Sequence, residues 1–293
     1  MKIGFIGLGS MGGPMATNLV RRGFQVYGFD VREQAVATFA AAGGRGAASA
    51  TAAAESADVL FVMVLNVRQA ENVLFAGGAL AALAPQATVV LTSTCAPGAV
   101  EAIADQVLGS GRRFVDAPVS GGTIGAHGGT LTVMAAAPKA TFDAIRPVLE
   151  GIGDKIFHVG ERPGQGATIK SIAQLLVGVH TAAAAEALAL ATKAGVADAA
   201  LLKILGGSSA ASWMLNDRGP RMLEKAPAVT STVDIFVKDL GIVLDAGQSL
   251  KLQLPLAAIA RQLFIAAAGA GFGSADYSQV IRAYQPVEGR PSD

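Results

Sequence analysis

Several groups of residues in this chain have the types and spacing to do chemistry. The first is Gly7-Leu8-Gly9-Ser10-Met11-Gly12, a G-x-G-x-x-G directly after an apolar run and before an Ala-rich segment. Between a strand and a helix each glycine has a mechanical job. Gly7 makes the tight turn, Gly9 lets the backbone approach a pyrophosphate, and Gly12 lets the helix pack closely on its strand. The helix N-terminus then offers N–H groups and a positive dipole end to phosphates. Asp30 follows about 20 residues on, at the end of the next apolar run. Its carboxylate can accept hydrogen bonds from ribose hydroxyls and would repel a 2′-phosphate, so NAD is the expected cofactor. Arg32 keeps NADP open. The second group is Lys170 with Gln174. Lys170 lies near the start of a segment that is otherwise apolar for several turns, where an unpaired ammonium is costly and burial moves a lysine toward proton exchange at neutral pH. A lysine that snorkels from a helix end is the plainer alternative. Gln174, four residues on, shares its helix face and could orient a substrate, or simply be solvated.

Ser120-Gly121-Gly122 follows a strand that should end at the carboxyl edge of a sheet, where open α/β sheets bind ligands. A hydroxyl beside consecutive backbone N–H groups makes a carboxylate nest, and an ordinary turn has the same composition. Lys238-Asp239 is either a functional pair or a solvated ion pair on a helix. Trp213, in Ser212-Trp213-Met214-Leu215, is a core residue or a pocket wall, and His180 is a helix residue satisfied locally. Cys95 is the sole cysteine, with no base placed beside it, so neither an internal disulfide nor a nucleophilic role is expected.

The elements that must position these residues change character midway. In the first half, residues 2–6, 25–29, 59–64, 88–91, 114–117 and 131–135 read as strands, separated by helical lengths such as 13–22 and 32–42. Apolar runs buried on both faces, alternating with helices, predict an α/β fold: a Rossmann-type doubly wound parallel sheet. From Gly166 onward strand signals almost vanish. Residues 167–195 predict one long, mostly buried helix, and further helices are expected at 197–206, 233–249, 255–270 and 276–283. Glycine and proline cluster at Pro163-Gly164-Gln165-Gly166, which places the boundary between a dinucleotide-binding domain, 1–163, and an all-helical domain, 164–293. The polar tail 286–293 is expected to fray.

Composition narrows the function classes. With 52% hydrophobic residues the chain can build a sizeable core, which excludes intrinsic disorder. A formal net charge of +1 leaves no electrostatic footprint for nucleic acid or an anionic membrane. Three histidines and one cysteine, at no metal-ligand spacing, predict no metal. The N-terminal residues read as a strand rather than a signal peptide, and the apolar stretch 175–191 reads as too short and too polar to span a bilayer. A soluble cytoplasmic protein is expected.

At Asp116-Ala117-Pro118-Val119-Ser120-Gly121-Gly122 the sequence resembles the β-hydroxyacid dehydrogenase family, which includes 3-hydroxyisobutyrate dehydrogenase and tartronate semialdehyde reductase. The resemblance takes in the Gly7 loop, Ser93-Thr94, residues 125–131, Gly164-Gln165-Gly166 with Lys170, and Lys238-Asp239-Leu240. Two stretches, residues 170–186 and 212–214 with 233–240, are similar to the branch that oxidises L-threonate, a four-carbon sugar acid. The resemblance implies a Rossmann domain followed by a helical domain through which dimers or tetramers form. It implies hydride transfer from a small hydroxy acid to NAD, with Lys170 taking the hydroxyl proton. Ser120, Gly121, Gly122, Gln174 and Trp213 would contact substrate. Gly7, Gly9, Ser10, Met11, Gly12, Asp30, Val64, Leu65, Thr94 and Lys238 would contact cofactor, and Asp239 would support a lysine. The chain departs from the pattern in three places. Ala173 and Gln174 stand where most members have asparagines, so the amide reaches one methylene further, and Ser231 replaces a bulky residue seven before Lys238. A semialdehyde reductase or 3-hydroxyisobutyrate dehydrogenase is the alternative within enzymes. A non-catalytic dinucleotide-binding module is the alternative outside them.

Overall fold

In the computed structural model, which describes residues 1–284, the chain forms two compact units, Met1–Lys170 and Ser171–Asp293. The tail 286–293 lies outside the described residues.

The first unit begins β1 (Lys2–Ile6), α1 (Gly12–Arg21), β2 (Gln25–Phe29), α2 (Glu33–Ala41), β3 (Arg45–Gly46), α3 (Ala50–Ala54) and β4 (Val59–Val62). It continues with α4 (Val67–Glu71), α5 (Ala79–Ala82), β5 (Thr88–Leu91), α6 (Pro97–Gly109), β6 (Arg113–Asp116) and β7 (Val119–Ser120). Then follow α7 (Gly122–Gly128), β8 (Leu131–Ala136), α8 (Lys139–Leu149) and β9 (Gly153–Gly160). The sheet runs β3-β2-β1-β4-β5-β6, all parallel. β8 then lies antiparallel to β6 and β7, and β9 pairs parallel to β8. The wholly parallel sheet expected from the sequence therefore holds only through β6. Two residues separate β6 from β7, and the short α7 returns the chain at once, too little for a parallel crossover.

Alternation within the buried strands divides the core between two faces. Phe61, Val90 and Val115 join Phe5, Met15, Leu19, Phe39 and Ile145 on one side. Leu60, Val62, Val89, Leu91 and Phe114 join Leu74, Val100 and Ile103 on the other. Phe5 and Phe61, paired across β1 and β4, stack with centroids 5.3 Å apart. Each such buried side chain contributes roughly 1.5–3 kcal/mol by leaving water.

α9 (Gln165–Lys193) starts in the first unit and runs on into the second. The second unit adds α10 (Asp198–Gly206), α11 (Trp213–Met222), α12 (Val233–Ser249) and α13 (Pro255–Ala267). Ser212 and Thr232 cap α11 and α12 by accepting N–H groups from Leu215 and Ile235, and Pro255 opens α13, where its missing N–H costs nothing. Leu188, Leu215, Leu240 and Val243 surround Phe236, which stacks on Phe264 and Tyr277. Asp276, fully buried, accepts from Thr230 N–H at 2.9 Å and faces Arg221 at 3.1 Å and Arg218 at 3.6 Å.

Several boundaries differ from expectation. The helix expected at 276–283 is a 3-10 helix, Tyr277–Tyr284, and α13 passes into a π-helical turn, Ala268–Phe272. The strand expected at 59–64 stops at Val62, because the Val64 N–H turns to the Ser93 hydroxyl at 2.9 Å. The stretch read as too short to span a bilayer belongs to a 29-residue helix. That helix, like Pro255–Phe272, is long and apolar enough to cross a membrane by length and composition alone. Its apolar residues Ala185 and Leu188 lie in the helical core.

Candidate active site

The carboxyl ends of β2, β1, β4 and β5 are neighbours in the sheet, and each carries residues singled out from the sequence. Gly7 leaves β1 with φ +96°, and a Cβ there would lie 2.1 Å from the Met63 carbonyl oxygen. A Cβ on Gly12 would lie 1.8 Å from the Gly7 oxygen, so α1 reaches its strand only with glycine at that position. Gly9 faces open space, with only the Arg32 guanidinium within 4 Å of a Cβ built there. Met11 stands at the N-cap of α1, no side chain caps that end, and Ser10 is exposed. Pyrophosphate recognition needs this combination of a tight turn, an approachable backbone and an uncapped helix end. The loop fits a dinucleotide.

Asp30 sits at the end of β2. Its carboxylate accepts from Leu8 N–H at 2.8 Å and from Arg32, through the backbone N–H at 2.9 Å and Nε at 3.1 Å. Burial pushes Asp30 upward, but the Arg32 hydrogen bonds and charge outweigh it and hold the carboxyl below its ordinary range. The same pairing raises the Arg32 guanidinium. Arg32 is largely exposed and is held over the glycine loop by an aspartate that remains ionised at neutral pH. Val64, half-buried, is held by Ser93, and Leu65 is 63% exposed with its N–H on Gln69 Oε1 at 2.9 Å. Thr94 follows the buried Thr92 and Ser93 after β5. The Ser93 clamp on Val64 links two of these strand ends. No local sequence pattern marks this role of Ser93, because only its hydrogen bond to Val64 shows it.

Ser120 ends β7, half-buried, and Gly121 and Gly122 follow with φ +127° and +59°. Lys170 is 6% exposed, near the start of α9, which bears out the expected burial of its ammonium. In the second unit Gln174 is 7% exposed and its Nε2 donates to Asp239 Oδ2 at 2.5 Å. Lys238 Nζ pairs with Asp239 Oδ1 at 2.6 Å, and Asp239 is buried. One carboxylate on α12 thus holds both Gln174 and Lys238. Trp213 stands apart from the core: it opens α11 and is 67% exposed. His180 is exposed, and Cys95 is buried. No cluster of three metal-ligating side chains occurs among the described residues.

Residues 2–160 match the family described as the NAD binding domain of 6-phosphogluconate dehydrogenase. Residues 164–284 match the NAD-binding family of NADP-dependent 3-hydroxyisobutyrate dehydrogenase. An L-threonate dehydrogenase from Cupriavidus necator is 42% identical, over 98% of this chain and 97% of its own length. One from Escherichia coli K12 is 40% identical, over 97% and 95%. A solved structure of a 3-hydroxyisobutyrate dehydrogenase from Salmonella typhimurium is 38% identical and superposes with a TM-score of 0.89, covering 96% of this chain and 99% of that one. A glycine loop built for a dinucleotide, a buried lysine opening a long helix, and similarity along almost the whole length agree. The chain belongs to the 3-hydroxyisobutyrate dehydrogenase-like family of NAD(P)-dependent hydroxyacid dehydrogenases.

Proposed function

We propose that this protein oxidises L-threonate or a closely related four-carbon sugar acid with NAD, and that Lys170 handles the proton. The observation that carries the reading is the burial of Lys170 at 6% exposure one turn into α9, where a lysine stands shielded from bulk water. As a neutral amine Lys170 takes the proton of the substrate hydroxyl, and in the reverse direction it returns that proton to the carbonyl oxygen. The bound dinucleotide supplies the hydride acceptor. Ser120, Gly121 and Gly122 hold the substrate carboxylate through a hydroxyl and backbone N–H groups. Gln174 is the proposed partner of a substrate hydroxyl, Trp213 a proposed substrate contact, and Asp239 the residue that fixes Gln174 and Lys238. Gly7, Gly9, Ser10, Met11, Gly12, Asp30, Val64, Leu65, Thr94 and Lys238 are the proposed cofactor contacts. NAD is preferred because Asp30 stays charged where a 2′-phosphate would sit.

The choice of L-threonate is supported by the relatives of that name at 42% and 40% identity. A second reading, 3-hydroxyisobutyrate or a semialdehyde as substrate, is supported by the name of the structural relative and by Ala173, which departs from the family pattern. The test is NADH formation by the purified protein with L-threonate, D-threonate, both erythronates, 3-hydroxyisobutyrate and D-glycerate. Selective turnover of L-threonate is expected, with Lys170→Ala abolishing turnover but not NAD binding. Turnover of 3-hydroxyisobutyrate alone would keep the chemistry and replace the substrate. Unchanged turnover in Lys170→Ala would remove the proton-transfer role.

We further propose a homodimer or homotetramer assembled through the helical unit, whose Leu190, Ile204, Leu250, Leu252, Leu256 and Ile259 are all more than half exposed in the single chain. The reading as a water-soluble cytoplasmic enzyme is supported by α9 and α13 supplying Leu188, Ala260 and Phe264 to one helical core.

A further inference from the structure

Asp116 closes β6 four residues before Ser120, and nothing in the reaction outlined above uses it. It is 1% exposed. Its Oδ2 accepts backbone N–H groups from Gly164 at 3.0 Å and Ala167 at 2.9 Å, and the Gly166 N–H bonds the same carboxylate. These donors belong to the turn before α9 and to its first turn, where helix N–H groups have no intrahelical acceptor. The backbones meet here as well. A Cβ on Gly166 would lie 2.5 Å from the Met134 oxygen and 2.8 Å from the Asp116 oxygen, so only glycine lets α9 start this close to β6 and β8. Lys170 comes four residues after Gly166 and three after Ala167, one helical turn from the anchored backbone.

We propose that Asp116 is a positioning residue for Lys170: its carboxylate fastens the first turn of α9 to the end of β6 and so sets where the lysine stands relative to the Ser120 turn. The inference rests on the reading that Lys170 handles the proton. One side chain then ties together the strand run that carries the carboxylate nest and the helix that carries the acid–base group. A helix end held only by packing would let Lys170 drift, and a misplacement of about 1 Å costs on the order of a hundredfold in rate.

The surroundings make this fastening sensitive to acid. Burial lifts the Asp116 carboxyl to about 6 despite the N–H groups it accepts, and the Glu101 charge on α6 adds to the rise. Glu101 lies against the turn: a Cβ on Gly164 would be 2.6 Å from its Oε1. Lys170 is the first charged residue along α9, and β8 carries no titratable side chain. Protonation replaces a charge-assisted acceptor with a weaker neutral one.

The test compares wild type, Asp116→Asn, Glu101→Gln and Lys170→Ala across a pH range, using the hydroxy acid turned over fastest in the panel above. Asp116→Asn is expected to bind NADH normally, to lose about tenfold or more in kcat with little change in KM, and to lose the inflection at about pH 6 that Asp116 adds to the acid limb, leaving the part set by Lys170. Amide hydrogen exchange of residues 164–170, which needs no substrate, is expected to speed up in that variant. Added to Lys170→Ala, it should cost little more. Glu101→Gln, an exposed position outside the catalytic machinery, should shift the acid limb to lower pH. Wild-type kcat in Asp116→Asn or unchanged exchange of residues 164–170 would each overturn the inference, and an unmoved limb in Glu101→Gln would overturn its acid sensitivity. Should Asp116→Asn not fold, Asp116→Glu, which keeps the charge on an arm one methylene longer, decides by the same kcat and hydrogen-exchange readouts. Failure of the underlying reading looks different, because then Lys170→Ala itself keeps full turnover.

Discussion

Replacing Asp116 with asparagine is expected to flatten the pH dependence of stability between about pH 4 and pH 7. The carboxyl is 1% exposed, and burial is the largest influence on it, overriding the N–H groups of Ala167, Gly164 and Gly166 and lifting it from 3.8 to about 6. Between those two values the folded chain keeps a proton that the unfolded chain has released, so stability falls as pH rises through the window. The contribution is fully present below the unfolded value of 3.8 and lost once pH passes about 6. A difference of about two units corresponds to roughly 3 kcal/mol in full, and about 2 kcal/mol of it falls between pH 4 and pH 7. Urea unfolding of wild type and Asp116→Asn at matched pH isolates this group, because every other titration is common to both chains. The wild-type minus variant difference should decline by about 2 kcal/mol across the range. A difference flat to within about 0.5 kcal/mol would refute the reasoning, since it would mean that the carboxyl is solvated enough to ionise normally.

Three further outcomes are expected. Asp30→Ala should lower kcat/KM with NAD by about tenfold or more, the loss of hydrogen bonds to a charged acceptor, while NADP use rises as Arg32 is released. Parallel kinetics with both cofactors check this, and an unchanged NAD to NADP ratio would contradict it. Gly12→Ala places a Cβ 1.8 Å from the Gly7 oxygen, so the loop must deform. NADH binding, followed by fluorescence, should be lost even where circular dichroism shows a folded chain. Asp276→Asn leaves Arg218 and Arg221 facing a neutral group in a buried site and should destabilise the second unit by about 3–5 kcal/mol. Burial pushes Asp276 up, but donors from Thr230 and Ser278 outweigh it and lower the carboxyl. Its stabilising contribution is therefore complete above the ordinary value of 3.8 and lost as pH falls through the lowered one. Chemical unfolding at pH 7 and in acid checks both statements.

β1, β4 and β5 were legible because each is an apolar run covered on both faces, which leaves a continuous signal, whereas the exposed two-residue β3 left none. β9 was not, since it is an edge strand whose Asp154, Lys155 and half-exposed Phe157 interrupt that signal. α11 and α8 were hidden by Gly219-Pro220 and Pro147 inside them, residues that normally mark a helix end. The glycine loop was legible because its constraints are local: Gly7 and Gly12 block each other over five residues. The roles of Ser93 and Asp116 depend on partners far along the chain, 29 residues away for Val64 and 48 and 51 for Gly164 and Ala167, and no local pattern announces them. Arg32 lay between these cases. Its position beside Asp30 was visible, and its fork over the glycine loop was not.

The burial of Cys95 and the exposure of Trp213 give the chain two built-in spectroscopic handles. The sole thiol is 2% exposed and belongs to the first unit, and the sole tryptophan is 67% exposed and belongs to the second. A thiol reagent therefore reads the opening of the dinucleotide-binding unit and nothing else, while indole quenching samples the helical unit already in the native state. Stepwise denaturation of a chain whose units share one helix can be resolved with the two natural residues, without adding a label to either.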